Sequence, residues 1–172
     1  FTVGSNGLMN NTNDTYVAWN WKAGGAAVAA GGTNLTNRFV SANPDAGFSI
    51  MTYTGSSSDG TIEHGLNKRP ELWIFKNRSA AKGWFTLTNI IDGSPDYAFL
   101  NTTDIFGNAG QGNSTDTILN VNLDGGSGLL NANGNNYVAY AFHSVDGMSR
   151  VGSYVGTGGS GNNIVTGFRP AF

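Results

Sequence analysis

One fifteen-residue stretch, written twice, constrains this chain more than any other feature. Gly128 to Phe142 reads GLLNANGNNYVAYAF, and Gly7 to Trp21 reads GLMNNTNDTYVAWNW. The copies align without a gap, position 7 against position 128. Gly7, Leu8, Asn10, Tyr16, Val17 and Ala18 are identical to Gly128, Leu129, Asn131, Tyr137, Val138 and Ala139. Met9, Trp19 and Trp21 stand for Leu130, Tyr140 and Phe142, so size and apolar character persist where identity does not. A second motif is also doubled. Tyr53-Thr-Gly55 leads to Gly65-Leu-Asn-Lys-Arg69-Pro70-Glu-Leu72, and Tyr154-Val-Gly156 leads to Gly167-Phe-Arg169-Pro170-Ala-Phe172. The two motifs alternate along the chain. This order predicts one complete unit at 47–147, the end of a preceding unit at 1–25 and the start of a following one at 148–172. A Gly/Ala-rich linker at 26–46 would separate the first two.

The local pattern is that of strands. Tyr16 to Trp21 alternates Val17, Trp19 and Trp21 with Tyr16, Ala18 and Asn20, and this period of two with aromatic and β-branched residues predicts a strand. Asn and Asp residues before it supply a turn, because they tolerate left-handed backbone. Further strands are expected at Phe1–Val3, Phe48–Thr54, from Ile62, at Leu72–Lys76, Trp84–Thr88, Tyr97–Leu100 and Thr117–Leu123. An edge strand is expected near Arg38-Phe39-Val40. Leu72–Lys76 is almost continuously apolar and reads as central, and Trp84–Thr88 as its hairpin partner. Loops are expected at 103–115 and at Asp124–Ser127. Ala26 to Ala30 favours helix, but five residues cannot sustain one alone. The resulting fold class is all-β, an antiparallel sandwich of jelly-roll or lectin-like type. Trp73, Phe75, Trp84, Phe99, Tyr137 and Phe142 are its expected core.

Composition removes several function classes. Charged residues make up 12% of the chain, about half the usual quarter, and the formal net charge is −2. A nucleic-acid binder needs clustered Lys and Arg, so nucleic acid is not an expected partner. Without cysteine there is no disulfide framework and no thiolate metal site. No apolar run approaches the roughly 20 residues of a membrane helix, so membrane insertion is not expected. No signal peptide is visible. The chain opens within an apparent strand, so either the first residues of the gene product are missing or the chain is a piece of a longer polypeptide.

Residues with reactive side chains are few and scattered. His64 follows Glu63 without the further ligands a metal requires, and reads as a surface residue at a strand end. His143 ends a strand whose earlier copy carries Lys22 in that place, which speaks against catalysis. There is no G-x-S-x-G elbow, and Glu63 and Glu71 are the only glutamates. Asp92, Asp96 and Asp104 lie in expected loops, where turn formation explains them and calcium is the alternative. No catalytic, cofactor-binding or metal residue and no cofactor is therefore expected. Arg69-Pro70 and Arg169-Pro170 each open an apolar strand. Proline there sacrifices no ladder donor, and the arginine is suited to a carboxylate. Asn-x-Ser/Thr sequons occur at Asn10, Asn13, Asn34, Asn77, Asn101 and Asn113.

Several stretches together resemble repeats in long virion proteins of marine bacteriophages. They are Tyr137-Val-Ala-Tyr-Ala-Phe-His-Ser-Val-Asp-Gly147 with the two motifs after it, Trp19-Asn-Trp21-Lys-Ala-Gly-Gly25, Gly47-Phe-Ser-Ile-Met-Thr-Tyr-Thr-Gly55, His64-Gly-Leu66 and Lys76-Asn-Arg-Ser79. The likeness covers most of the chain and is weakest at 26–45 and 103–115. It implies a non-enzymatic structural module of a tail, fibre or capsid surface, located on the virion, with a role in host attachment. Expected partners are other copies of the chain, other virion proteins and host surface glycans. The alternatives are a carbohydrate-binding sandwich, a subunit of an extracellular head-to-tail filament, and an enzyme of depolymerase type. The two partial units would leave apolar faces and sheet edges open, so contact between them is expected, either within one chain or between chains.

Overall fold

The computed structural model describes residues 2–110, 112–122 and 127–170. The chain is an all-β antiparallel sandwich. Its strands are β1 (Val28–Ala29), β2 (Thr36–Asn43), β3 (Phe48–Thr54), β4 (Gly60–Glu63), β5 (Leu72–Asn77), β6 (Phe85–Thr88), β7 (Asp96–Phe99), β8 (Gly107–Asn108), β9 (Ile118–Val121) and β10 (Asn136–Phe142). Eight form one antiparallel sheet in the order β1-β2-β3-β10-β5-β6-β7-β8, and β4 pairs with β9 in a second, small sheet. Both edges of the large sheet are two-residue strands, which offer little backbone to a foreign strand.

β10 is the centre of this arrangement. It sits between β3 and β5, with Tyr137 opposite Tyr53 and Asn77, Ala139 opposite Met51 and Phe75, and Ala141 opposite Trp73 and Ser49. Its inward residues after Tyr137 are alanines, and the volume they leave is taken by Met51, Trp73 and Phe75 of its neighbours, all buried. Ile62, Leu119 and Val121 of the small sheet, with Leu35, Leu66 and Leu130, close the core from the other side. Tyr53 and Tyr137 stack with ring centroids 5.1 Å apart.

The hydroxyls of these two tyrosines fasten the loop before β10. Tyr53 donates to the Leu130 carbonyl at 2.7 Å. Tyr137 donates to the Gly128 carbonyl at 3.1 Å and accepts from Ala132 N at 2.9 Å. Asn77 donates to the Gly128 carbonyl as well, and Asn131 accepts from Ser56 N. The loop runs so close to the end of β3 that a Cβ on Gly55 would lie 2.3 Å from the Ala132 carbonyl oxygen. Gly55 of the Tyr-x-Gly motif is thus a steric requirement.

Side-chain parity corrects part of the expected core. Trp73, Phe75 and Tyr137 are buried, but Phe99 and Phe142 are half-buried and Trp84 is 38% exposed. Phe85 and Leu87 take the inward positions of β6, so Trp84 shares the outer face with Thr86. There the ammonium of Lys76 stands 5.5 Å from its ring centroid. Phe142 also falls on the outer face, 5.0 Å from Phe48 and 5.6 Å from Trp21.

Other expected elements shift too. The stretch 26–46 carries β1 and β2, and β2 is a long strand hydrogen-bonded to β3 instead of an edge. Strands are present at 48–54, from 60, at 72–77, 85–88, 96–99 and 118–121, close to their expected places. The loop at 103–115 contains short β8. Phe1, Leu123, Asp124, Gly125, Gly126 and Phe172 lie outside the described residues, and Thr2 and Val3 form no strand. Tyr16 to Trp21 also forms none, although its copy is the central strand, and none of residues 150–170 lies in a strand. A helical turn, α1 (Gly7–Asn10), and a 3-10 turn at Pro44–Ala46 complete the described regular structure.

Trp73→Ala should cost about 3–5 kcal/mol, as large aromatics removed from cores do. Trp84→Ala should cost about 1 kcal/mol or less, the size of an exposed cation–π contact. Denaturant titration of both variants checks this, and equal losses would show that the two tryptophans are not on opposite faces.

Candidate functional site

The outer face of the large sheet carries a concavity. Alternation along β5 and β10 puts Ile74, Tyr140 and Phe142 on this face. The segment before β1 lies across it and adds Trp19 and Trp21. Trp84, Leu100 and Asn101 complete a groove of about 810 Å³. Its lining is overwhelmingly apolar. Asn101 supplies the one side-chain amide, and its oxygen is already engaged by Trp84 N at 2.9 Å. Such a groove can stack flat or apolar groups and offers few donors or acceptors to orient a polar ligand.

A smaller cleft of about 400 Å³ lies by the start of β5, between Lys68, Glu71, Asp146 and Arg150. The Glu71 carboxylate accepts from Ser144 N at 2.6 Å and from its hydroxyl at 2.5 Å. The same hydroxyl accepts from Val151 N at 3.0 Å, and Lys68 donates to the Ser144 carbonyl at 3.2 Å. Glu71 therefore holds the base of the C-terminal segment.

His64 is fully buried, which corrects the surface position expected for it. Its Nδ1 accepts from Leu66 N at 3.2 Å, so the proton is on Nε2, which donates to the Thr115 carbonyl at 3.1 Å. Burial lowers its pKa below the usual 6.5, against the opposing pull of the Thr115 carbonyl and Asp116, and His143 lowers it further. His143 is also buried, with Nδ1 2.9 Å from the Ser144 carbonyl and Nε2 without a protein partner. Neither ring lines the groove or the cleft.

The carboxylates do not converge. Asp92 accepts from the amide and hydroxyl of Ser94, and these bonds hold its pKa below the usual range. Asp96 is buried in β7, and Asp104 is exposed. Glu63 accepts from Gly31 N at 3.3 Å. Among the described residues no cluster of three or more His, Asp or Glu side chains could hold a metal ion. Arg69 is exposed, and its backbone N–H, not its guanidinium, meets Asp116. Of the sequons, Asn77 is buried with its amide committed to Gly128 and Tyr137, which bars a glycan there. The alternating pattern of β10 and the aromatic at Trp84 were the signals for the groove, but parity alone does not tell which face a second sheet covers.

A family described as Domain of unknown function (DUF7483) matches residues 1–172. The chain belongs to that family. No curated protein and no solved structure matches it. Among the described residues no helix is long and apolar enough to cross a membrane.

The depressed pKa of His64 predicts an acid-sensitive fold. Above about pH 6.5 the ring is neutral in both states and adds nothing to the pH dependence. As pH falls below that value the unfolded chain takes up the proton first, so stability declines until the lower folded pKa is reached. His64→Gln should be less stable at neutral pH and should show a flatter decline toward pH 5. Chemical denaturation across this range measures both slopes, and identical slopes would mean that His64 does not titrate between the states.

Proposed function

We propose that the chain is a non-enzymatic structural module of a bacteriophage virion, carried on its tail, fibres or capsid surface. The observation that carries this reading is the pairing of a complete sandwich with flanking segments that repeat its strand sequences yet, among the described residues, form no strand. Tyr16, Val17, Trp19, Tyr154 and Val155 are all exposed in those segments. Exposed copies of core strands suit a protein whose surface is completed by assembly. The likeness of these motifs to virion repeats supplies the setting. Both histidines are enclosed by packing, and Glu71 is engaged as a fastening, which favours scaffolding over turnover.

An antibody raised against the chain should decorate purified particles in electron micrographs at a regular position, and mass spectrometry should find the chain there in many copies. Its absence from washed particles would overturn the virion assignment.

Carbohydrate binding is the second reading, favoured by Trp19, Trp21, Trp84 and Tyr140 around one groove, since aromatic faces stack on sugar rings. The scarcity of polar groups there weighs against it, because sugar hydroxyls would lose water without replacement. Titration with marine and bacterial-surface oligosaccharides should leave tryptophan fluorescence unchanged. Saturable quenching that is lost in Trp84→Ala would replace the structural reading with the binding one.

A further inference from the structure

We infer that the groove on the outer face of the large sheet binds a single-chain anionic amphiphile, an alkyl carboxylate, with its head between Lys76 and Asn101 and its chain running toward Phe142 and Trp21. This goes beyond the structural-module reading and does not rest on it.

The groove has two unlike ends, and the ladder places them. Phe142 faces Leu72, Tyr140 faces Ile74 and Val138 faces Lys76 across β10 and β5. Alternation puts these six side chains on the outer face. At one end the rings of Trp21, Phe48 and Phe142 pack together, with centroids 5.0 to 6.2 Å apart. Asn43 and Ser41 hold the segment that carries Trp21, by bonds to the Lys22 carbonyl at 3.1 Å and the Gly25 carbonyl at 2.8 Å. At the other end stands Trp84, with the Lys76 ammonium 5.5 Å from its ring centroid. Asn101 borders the same tryptophan, and its oxygen accepts from Trp84 N at 2.9 Å. The part of that amide left to a ligand is its nitrogen, a donor.

The side-chain groups free to meet a ligand at this end are therefore donors. The Lys76 ammonium gives one of its three hydrogens to the Lys82 carbonyl and keeps the others. Among the described residues no carboxylate lines the groove to neutralise it. A ligand that matches must present an acceptor here, and beside a cation an anionic acceptor bonds most strongly. The two oxygens of a carboxylate can accept from Lys76 and Asn101 together. A cationic head would be repelled at the same place.

The rest of the groove selects an alkyl chain. Leu72 to Lys76 is about 13 Å of strand, the reach of a chain of medium length. Ile74 and the ring of Tyr140 line the stretch between the ends, and the volume of about 810 Å³ is that of a small-molecule site. A peptide laid there would bury backbone amides and carbonyls against carbon, and a sugar its hydroxyls, whereas methylene groups lose no hydrogen bond. Trp21 stands over β3 and β10, and Trp84 stands at the start of β6 beyond β5. Between such walls there is room for a chain and none for a bilayer.

Decanoate, decanol and decyltrimethylammonium, each titrated below its micelle concentration into the intact chain, test the inference through tryptophan fluorescence, since three of the four tryptophans line the groove. Decanoate should bind saturably and at least about tenfold more tightly than the other two, as a hydrogen bond to a charged group provides. Lys76→Met should bring decanoate to the affinity of decanol and leave decanol where it was. Trp84→Ala, which keeps Trp19 and Trp21 as reporters, should weaken decanoate and decanol alike. Phosphatidylglycerol vesicles should not carry the chain in flotation. No saturable response to decanoate, equal affinity for the three heads, a Lys76→Met chain that still prefers decanoate, or a Trp84→Ala chain with both affinities unchanged would overturn the inference. Co-flotation with the vesicles would overturn it in favour of a membrane surface. The head-group comparison needs no variant, so it decides even where a substitution fails to fold. None of these results bears on particles, so the virion assignment stands or falls separately.

Discussion

The stacked pair Tyr53–Tyr137 and its two hydroxyls hold this structure together. The rings join β3 to β10 across the middle of the large sheet, and the hydroxyls reach the Leu130 and Gly128 carbonyls of the loop that leads into β10. Buried carbonyls in a turning loop cost free energy unless they are bonded, and here tyrosine and Asn77 satisfy them from the core side. With the loop fixed, β10 enters between β3 and β5 in a single register, and its alanines admit Trp73 and Phe75. Slipping by one residue would place Val138 and Tyr140 inside, where those aromatics already fill the space.

Much of this was legible in the sequence. Alternation located most strands to within a few residues, and the doubled stretch marked the strand that became the centre. Strand parity was harder. Trp84 and Phe85 are adjacent aromatics, and either could have faced inward. The pairing of Phe85 with Phe75 decided it, and that is a tertiary fact. A strand at Arg38-Phe39-Val40 was legible, but the length of β2 and its inner place were hidden by Gly and Ala on one side and by Asn on the other, because both depend on β3 beside it more than on local propensity. The burial of His64 had no sequence signal at all. Its two bonds are made to backbone groups at Leu66 and Thr115, which no residue pattern announces.

The repeated sequence makes the same lesson sharper. Tyr16 to Trp21 has the alternation of β10 and even its tyrosine fastening, yet it is not a strand in the isolated chain. Local sequence sets the turn and the side-chain pattern, while the ladder requires neighbours on both flanks. The outer groove belongs to this picture, since Trp19 and Trp21 reach it only because they are not held in a sheet. The scaffolding role we propose would draw on this apolar surface, and the scarcity of polar groups around it sets it apart from an ordinary sugar site.

Amide hydrogen exchange, followed peptide by peptide, tests most directly the claim that neighbours decide the state of this sequence. Amides of residues 137–141 should be protected to the level of global unfolding, whereas those of 17–21 should exchange freely in dilute solution. Equal protection of the two copies in dilute solution would contradict the account.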